Sequence, residues 1–135
     1  MNGTTTKVLL VDDQAIVIEG MRRMLAPHPE FEFEAEQNPA VAVEVARRFK
    51  PDVILQDLVM PEVDGFDLLR EYRRTAGLAD VPVIVLSSRE EGATKAEAFE
   101  RGADDYLVKM PEVVELVASI RIHVERRRSL LEQRR

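Results

Sequence analysis

Residues 52–61 read DVILQDLVMP, and this stretch decides the fold. Residues 52–56 carry an unbroken, β-branched aliphatic run that is too short for a helix. Such a run predicts a strand buried on both faces, the mark of a parallel sheet. The run ends on a carboxylate, Asp57, and turn residues follow at Pro61 and Gly65. A buried strand therefore delivers an acid at its C-terminal end. The same form recurs along the chain. Residues 7–11 (KVLLV) lead into Asp12 and Asp13, residues 82–86 (PVIVL) into Ser87 and Ser88, and residues 105–108 (DYLV) into Lys109.

The segments between these runs carry helical spacing. In residues 14–26, Ile18, Met21 and Leu25 fall at i, i+3 and i+7, and Pro27 and Pro29 stop the helix. Residues 31–36 (FEFEAE) alternate strictly, which suits an edge strand with one wet face. Asn38-Pro39 predicts a helix start, with Asn as N-cap and Pro at the first helical position, running to about Phe49 before Pro51. A loop over 57–65 leads to a helix over 66–75. A short helix over 93–101 ends at Gly102. The last helix begins near Pro111-Glu112 and meets no stop signal before Arg135. This is (βα)5. Short connections give a parallel sheet with helices on both faces. With the alternating strand outermost, the order is 2-1-3-4-5, the α/β flavodoxin-like doubly wound arrangement with an extended C-terminal helix.

Composition narrows the function. At 135 residues and 45% hydrophobic content the chain is one domain with an adequate core. The absence of cysteine removes disulfides, cysteine-type zinc sites and thiol catalysis. Apolar runs stay well short of a membrane span and the start lacks a signal-peptide profile, so the expectation is a cytoplasmic protein with no membrane partner. The net charge is −6. Residues 121–135 hold six Arg against Glu125 and Glu132, a local +4, so the first 120 residues carry −10. An acidic body argues against nucleic acid as a direct partner.

In a doubly wound sheet, ligands bind beyond the C-terminal strand ends near the point where strand order reverses. Asp12, Asp13, Asp57, Ser87 and Lys109 converge there. Two carboxylates about 4 Å apart repel by roughly 4 kcal/mol at an effective dielectric near 20. Three together therefore call for a cation. Oxygen-only ligands favour a hard ion, Mg²⁺ or Mn²⁺, over zinc. The ammonium of a lysine and a serine hydroxyl suit a phosphate, so the set reads as a phosphoryl-transfer site in which one carboxylate can be the nucleophile.

Val11-Asp12-Asp13, Asp57-x-x-Met60-Pro61-x-x-Asp64-Gly65, Ser87 and Lys109 together closely resemble the CheY-like receiver domain of two-component response regulators, over the chain up to about residue 124. The resemblance implies that Asp57 accepts a phosphoryl group from a sensor histidine kinase. It implies Mg²⁺ held by Asp12, Asp13, Asp57 and the backbone carbonyl of Val59. Lys109 would pair with the phosphate, Ser87 would hydrogen-bond to it, and Tyr106 would be the aromatic switch. The face of the fourth helix, fifth strand and fifth helix would then control an output domain. One departure stands out: Lys109-Met110-Pro111 replaces the family's Lys-Pro, which leaves the position of any cis bond open. This variant, with residues 56–61 and 115–121, resembles receivers of Wsp-type diguanylate cyclase regulators.

The last helix exceeds what a receiver needs. From Glu112 to the end is about 36 Å if helical. Val113, Val117, Ile120, Val124, Arg127 and Leu131 follow the a/d rhythm of a coiled coil. Residues 1–124 are thus expected to form the receiver, and 125–135 a stalk toward an output domain, with homodimerisation through the last helices. Two rivals stand beside the signalling switch, which is not itself an enzyme. A Mg²⁺-dependent aspartyl-phosphate hydrolase would resemble a pattern with a second Asp two residues after the nucleophile, where this chain has Val59. A phosphate-independent pseudo-receiver would not need the intact acidic set.

Overall fold

The computed structural model describes residues 5–88 and 95–134. Five strands form one parallel sheet: β1 (Thr6–Val11), β2 (Phe31–Glu36), β3 (Val53–Asp57), β4 (Val83–Ser87) and β5 (Asp105–Val108). Their order is β2-β1-β3-β4-β5, the flavodoxin-like α/β arrangement expected. The sheet lies between two helical layers. Helices α1 (Ala15–Leu25) and α5 (Val113–Gln133) pack Met21, Leu25, Leu116 and Ile120 against Val8, Leu10, Leu55 and Leu86. Helices α2 (Ala42–Phe49), α3 (Gly65–Arg74) and α4 (Lys95–Glu100) cover the other face, with Ala46, Leu69, Tyr72 and Ala98 against Leu9, Ile54 and Val85. Consecutive residues of β3 supply both cores, which is why its sequence is continuously apolar rather than alternating. Each fully buried Leu or Ile contributes about 1.5–3 kcal/mol. The expected edge strand is the edge strand: Phe31, Phe33 and Ala35 pack inward while Glu32 and Glu34 are exposed.

Local differences from the expectations have physical causes. β3 ends one residue later than expected, at Asp57, because Asp57 still pairs in register with Leu86. The Asn38-Pro39 start is real, and Asn38 Oδ1 accepts from the Ala40 amide at 3.0 Å, but the first turn, Pro39–Val41, is 3₁₀ before α2 begins. The loop after Asp57 contains a small antiparallel ribbon, Val59–Met60 against Val63–Asp64. Pro61 leads its turn and Glu62 follows at φ 65°, the pattern of a turn that needs one left-handed residue. Gly102 closes α4 with φ 102°, as expected for a C-cap. Positions 93–94, the expected start of that helix, lie outside the described residues. The cis peptide lies between Lys109 and Met110, ahead of Pro111.

Helix α5 is continuous for 21 residues. The Arg126–Arg128 run is not uniformly solvated. Arg127 reaches Asp80 at 3.3 Å and Arg128 reaches Asp52 at 3.6 Å, while Arg134 also reaches Asp80, at 3.6 Å. The basic excess of the tail is thus partly matched by aspartates at the N-terminal ends of the strands. Leu130 stays exposed. Among the described residues, no helix is long and apolar enough to cross a membrane.

Candidate functional site

The strands aim their polar ends at one edge of the sheet. Asp12 follows β1, Asp57 ends β3, Ser87 ends β4, and Lys109 follows β5, its amide donating to the Ser87 carbonyl at 2.9 Å. Asp12, Asp57 and Ser87 are buried, and Asp13 is half-buried. Asp12 also shapes the turn that leads into α1, whose N-cap is Gln14: its Oδ1 accepts from the Gln14 amide at 2.8 Å. That bond satisfies one orphan donor of the helix and fixes the carboxylate's direction.

Lys109 sits between two acids. Its Nζ lies 2.8 Å from Asp57 Oδ1 and 3.1 Å from Asp12 Oδ2, with Gln14 Oε1 at 3.4 Å. One ammonium therefore serves two buried carboxylates, and Asp13 stands beside them. Asp57 Oδ2 is buried without a hydrogen-bond partner among the described residues. Burial pushes the Asp57 carboxyl up to about 6; Lys109 opposes that rise and the Asp12 charge adds to it. Burial also raises Asp12, against the Gln14 amide and Lys109. For Lys109, burial alone would lower the pKa, but its contacts with Asp57 and Asp12 prevail and raise it. The site is short of positive charge.

That shortage fits a metal. Oxygen atoms of Asp12, Asp13 and Asp57 lie within 4.8 Å of one another, with no nitrogen or sulfur donor in the group. The all-oxygen set and the orphaned Asp57 oxygen suit a hard divalent cation such as Mg²⁺. Val59 opens the ribbon two residues beyond Asp57. Asp12, Asp13, Asp57 and Lys109 are thus brought together, and Ser87 ends the strand that pairs with the Asp57 strand. Tyr106 is buried on the α4 side of the sheet, in register with Val85 and in the core with Ala98 and Ala103.

Two features escaped the sequence reading, Gln14 and the Gln56–Tyr72 pair, while Gly65 was expected as a turn residue and is needed for a different reason. Gln14 contacts both Asp12 and Lys109, but a helix-start glutamine carries no distinctive signal. Gly65 is required by close approach and not by an unusual φ: a Cβ there would stand 2.3 Å from the Asp57 carbonyl oxygen and 2.8 Å from Leu58 Cα. Gln56 and Tyr72 form a buried pair beneath the site. The Tyr72 hydroxyl donates to Gln56 Oε1 at 2.6 Å, and Gln56 Nε2 donates to the Asp57 backbone carbonyl at 3.0 Å. Burial pushes the Tyr72 hydroxyl up, so it remains a donor at ordinary pH.

Comparison with known proteins agrees with this geometry. The family model of the response regulator receiver domain matches residues 8–121. The KDP operon transcriptional regulatory protein KdpE of Escherichia coli K12 is 40% identical over 121 residues, covering 90% of this chain and 52% of KdpE. Response regulator MprA of Mycobacterium leprae is 34% identical over 120 residues, covering 89% of this chain and 51% of MprA. The chain thus spans about half the length of the curated relatives it matches. Among solved structures, the receiver domain of the sensor histidine kinase PA1611 from Pseudomonas aeruginosa PAO1 superposes with a TM-score of 0.80 at 26% identity, covering 90% of this chain and 98% of that one. That structure has a magnesium ion coordinated in its active-site cleft.

Proposed function

The chain belongs to the response regulator receiver domain family, and from that premise we propose a phosphoacceptor switch in which Asp57 takes a phosphoryl group from the phosphohistidine of a sensor kinase. What supports this reading is the charge imbalance at one sheet edge: an orphaned, buried carboxylate oxygen on Asp57 beside Lys109, Asp12 and Asp13. An Asp57 oxygen attacks phosphorus, the bond to the histidine nitrogen breaks, and that nitrogen keeps the electron pair. Asp12, Asp13, Asp57 and the Val59 carbonyl would hold Mg²⁺, which supplies charge neutralisation on the transferring group. Lys109 pairs with the phosphoryl oxygens, and Ser87 donates its hydroxyl to one of them.

The covalent product carries roughly −1.5 to −2 charges, by analogy with other phosphorylated side chains. Drawing Ser87 and Lys109 toward those oxygens shifts the ends of β4 and β5, and Tyr106 responds from the same sheet. The face formed by α4, β5 and α5 then changes its affinity for a second copy or for an output domain, as a population shift between two states. Residues 1–124 act as the receiver and 125–135 as the link. The relatives named as transcriptional regulators favour a transcriptional output. Residues 56–61 and 115–121 instead favour a diguanylate cyclase, and an assay for condensation of two GTP into cyclic di-GMP by the natural protein decides between them.

The acceptor is tested by acetyl phosphate with Mg²⁺ and intact mass. One phosphoryl group is expected on the parent chain and none on Asp57→Asn. Persistence of the mass gain in that variant sinks the assignment. Multiple turnover of a phosphate ester would favour the hydrolase rival, and failure to bind Mg²⁺ would favour the pseudo-receiver.

A further inference from the structure

A glutamine at the penultimate position of a fully buried strand needs an explanation. Gln56 and Tyr72 are both 0% exposed. An apolar residue would fill either place, whereas a buried amide or hydroxyl left unpaired is destabilising. The pair is satisfied along one line: Tyr72 hydroxyl to Gln56 Oε1, then Gln56 Nε2 to the Asp57 carbonyl oxygen. The ladder between β1 and β3 stops at the Val11–Gln56 register, so Asp57 lies one residue past its reach. At that point the side-chain amide of Gln56 supplies a donor.

The same carbonyl is also crowded by the start of α3. α3 begins at Gly65, where a Cβ would stand 2.3 Å from the Asp57 carbonyl oxygen. Tyr72 lies seven residues further along α3, about two turns, so one helix supplies both the backbone that crowds the carbonyl and the hydroxyl that orients its donor. The carboxylate hangs from the Cα next to this carbonyl. Turning the peptide plane would turn the carboxylate relative to Asp12 and Lys109.

We propose that Gln56 and Tyr72 are positioning residues for Asp57: a buried Tyr72–Gln56 relay that fixes the acceptor's peptide plane and so aims its carboxylate. This rests on the acceptor reading above. The relay touches no substrate atom, and its effect should appear in the rate of phosphoryl uptake rather than in donor binding.

The test uses the full chain with Tyr72→Phe, Gln56→Leu and the double variant. Uptake from acetyl phosphate at saturating Mg²⁺ is followed by intact mass, and Mg²⁺ affinity by titration. Losing one neutral hydrogen bond corresponds to about threefold in the maximal rate for Tyr72→Phe and about tenfold for Gln56→Leu. The half-saturating acetyl phosphate concentration should not move. The double variant should be no slower than Gln56→Leu, because the two groups act in series. Unchanged rates in folded variants, or effects that multiply in the double, overturn the relay. If Gln56→Leu does not fold, Tyr72→Phe decides alone, since it removes a single oxygen. If the parent takes up no phosphoryl group, it is the acceptor reading that fails. The relay is then judged by Mg²⁺ affinity: about threefold weakening in Tyr72→Phe upholds it and unchanged affinity overturns it.

Discussion

The two edges of the sheet use the same residue type in opposite ways. At the N-terminal edge, each strand-end aspartate has partners of its own. Asp104 takes the Val83 amide at 2.8 Å and Arg73 at 2.9 Å, Asp52 takes the Lys7 amide at 2.7 Å with Arg128 at 3.6 Å, and Asp80 takes Arg127 and Arg134. At the C-terminal edge, Asp12 and Asp57 share Lys109, and Asp13 adds a third charge. The first edge is neutralised and partly wet. The second is buried and short of cations. Aspartate at a strand end can thus be a structural staple or a reactive group, and the supply of partners decides which.

The largest effect on this contrast should come from Lys109→Met. It leaves two buried carboxylates with no counter-charge, and breaking such a pair costs about 3–5 kcal/mol. Urea denaturation without metal should show a loss of that order, with most of it restored by Mg²⁺. Metal-free stability equal to the parent's would mean that the edge carries no strain.

Asp57→Asn should act in the opposite direction. Burial pushes the folded carboxyl up to about 6 from its ordinary 3.8, so the native state holds its proton more tightly than the unfolded chain. Metal-free stability therefore falls as pH rises from about 4 to 6 and stays low above that. The amide removes the penalty, so the variant should gain about 1–3 kcal/mol at pH 7.5 and nothing near pH 4. Denaturation midpoints at the two pH values check it. A destabilised variant at pH 7.5 would show that Lys109 more than compensates burial.

Asp104→Ala should give the smallest effect, a stability loss of about 0.5–1.5 kcal/mol, because solvent at the pair screens the charge-assisted bond to Arg73 and leaves mainly the hydrogen bond from the Val83 amide. Phosphoryl uptake should match the parent. A change in uptake at equal folded fraction would mean that the two edges are coupled through β4 and β5.

Much of this was legible in the sequence because the sheet is parallel. Strands buried on both faces must read as continuous apolar runs, so KVLLV, DVILQ and PVIVL declare themselves, and their terminal polar residues fall on one edge. The Val59–Met60 ribbon was not legible, because two residues per strand carry no periodicity. Nor was the sharing of Lys109, since convergence at an edge does not fix which oxygens an ammonium reaches. Gln56 was hidden inside a strand run, and its partner lies 16 residues away on a helix. The docking of Arg127 and Arg128 was equally invisible. Helical spacing says which face a residue occupies, not that an aspartate 47 residues earlier waits opposite it.

Arg128 also bears on the order in which the chain assembles. Its guanidinium reaches the Thr5 carbonyl at 3.4 Å and the Thr6 hydroxyl at 3.3 Å, across 123 and 122 residues. The neighbouring strands β1 and β2 meet across only 25 residues, from Thr6 to Phe31. Loop-closure entropy makes the longer contact the more expensive to form before the rest is in place. The clasp between α5 and the first strand therefore belongs to the end of folding, after the central strands have paired. It is a seal on a nearly finished sheet rather than part of its nucleus, and weakening it should speed unfolding more than it slows folding.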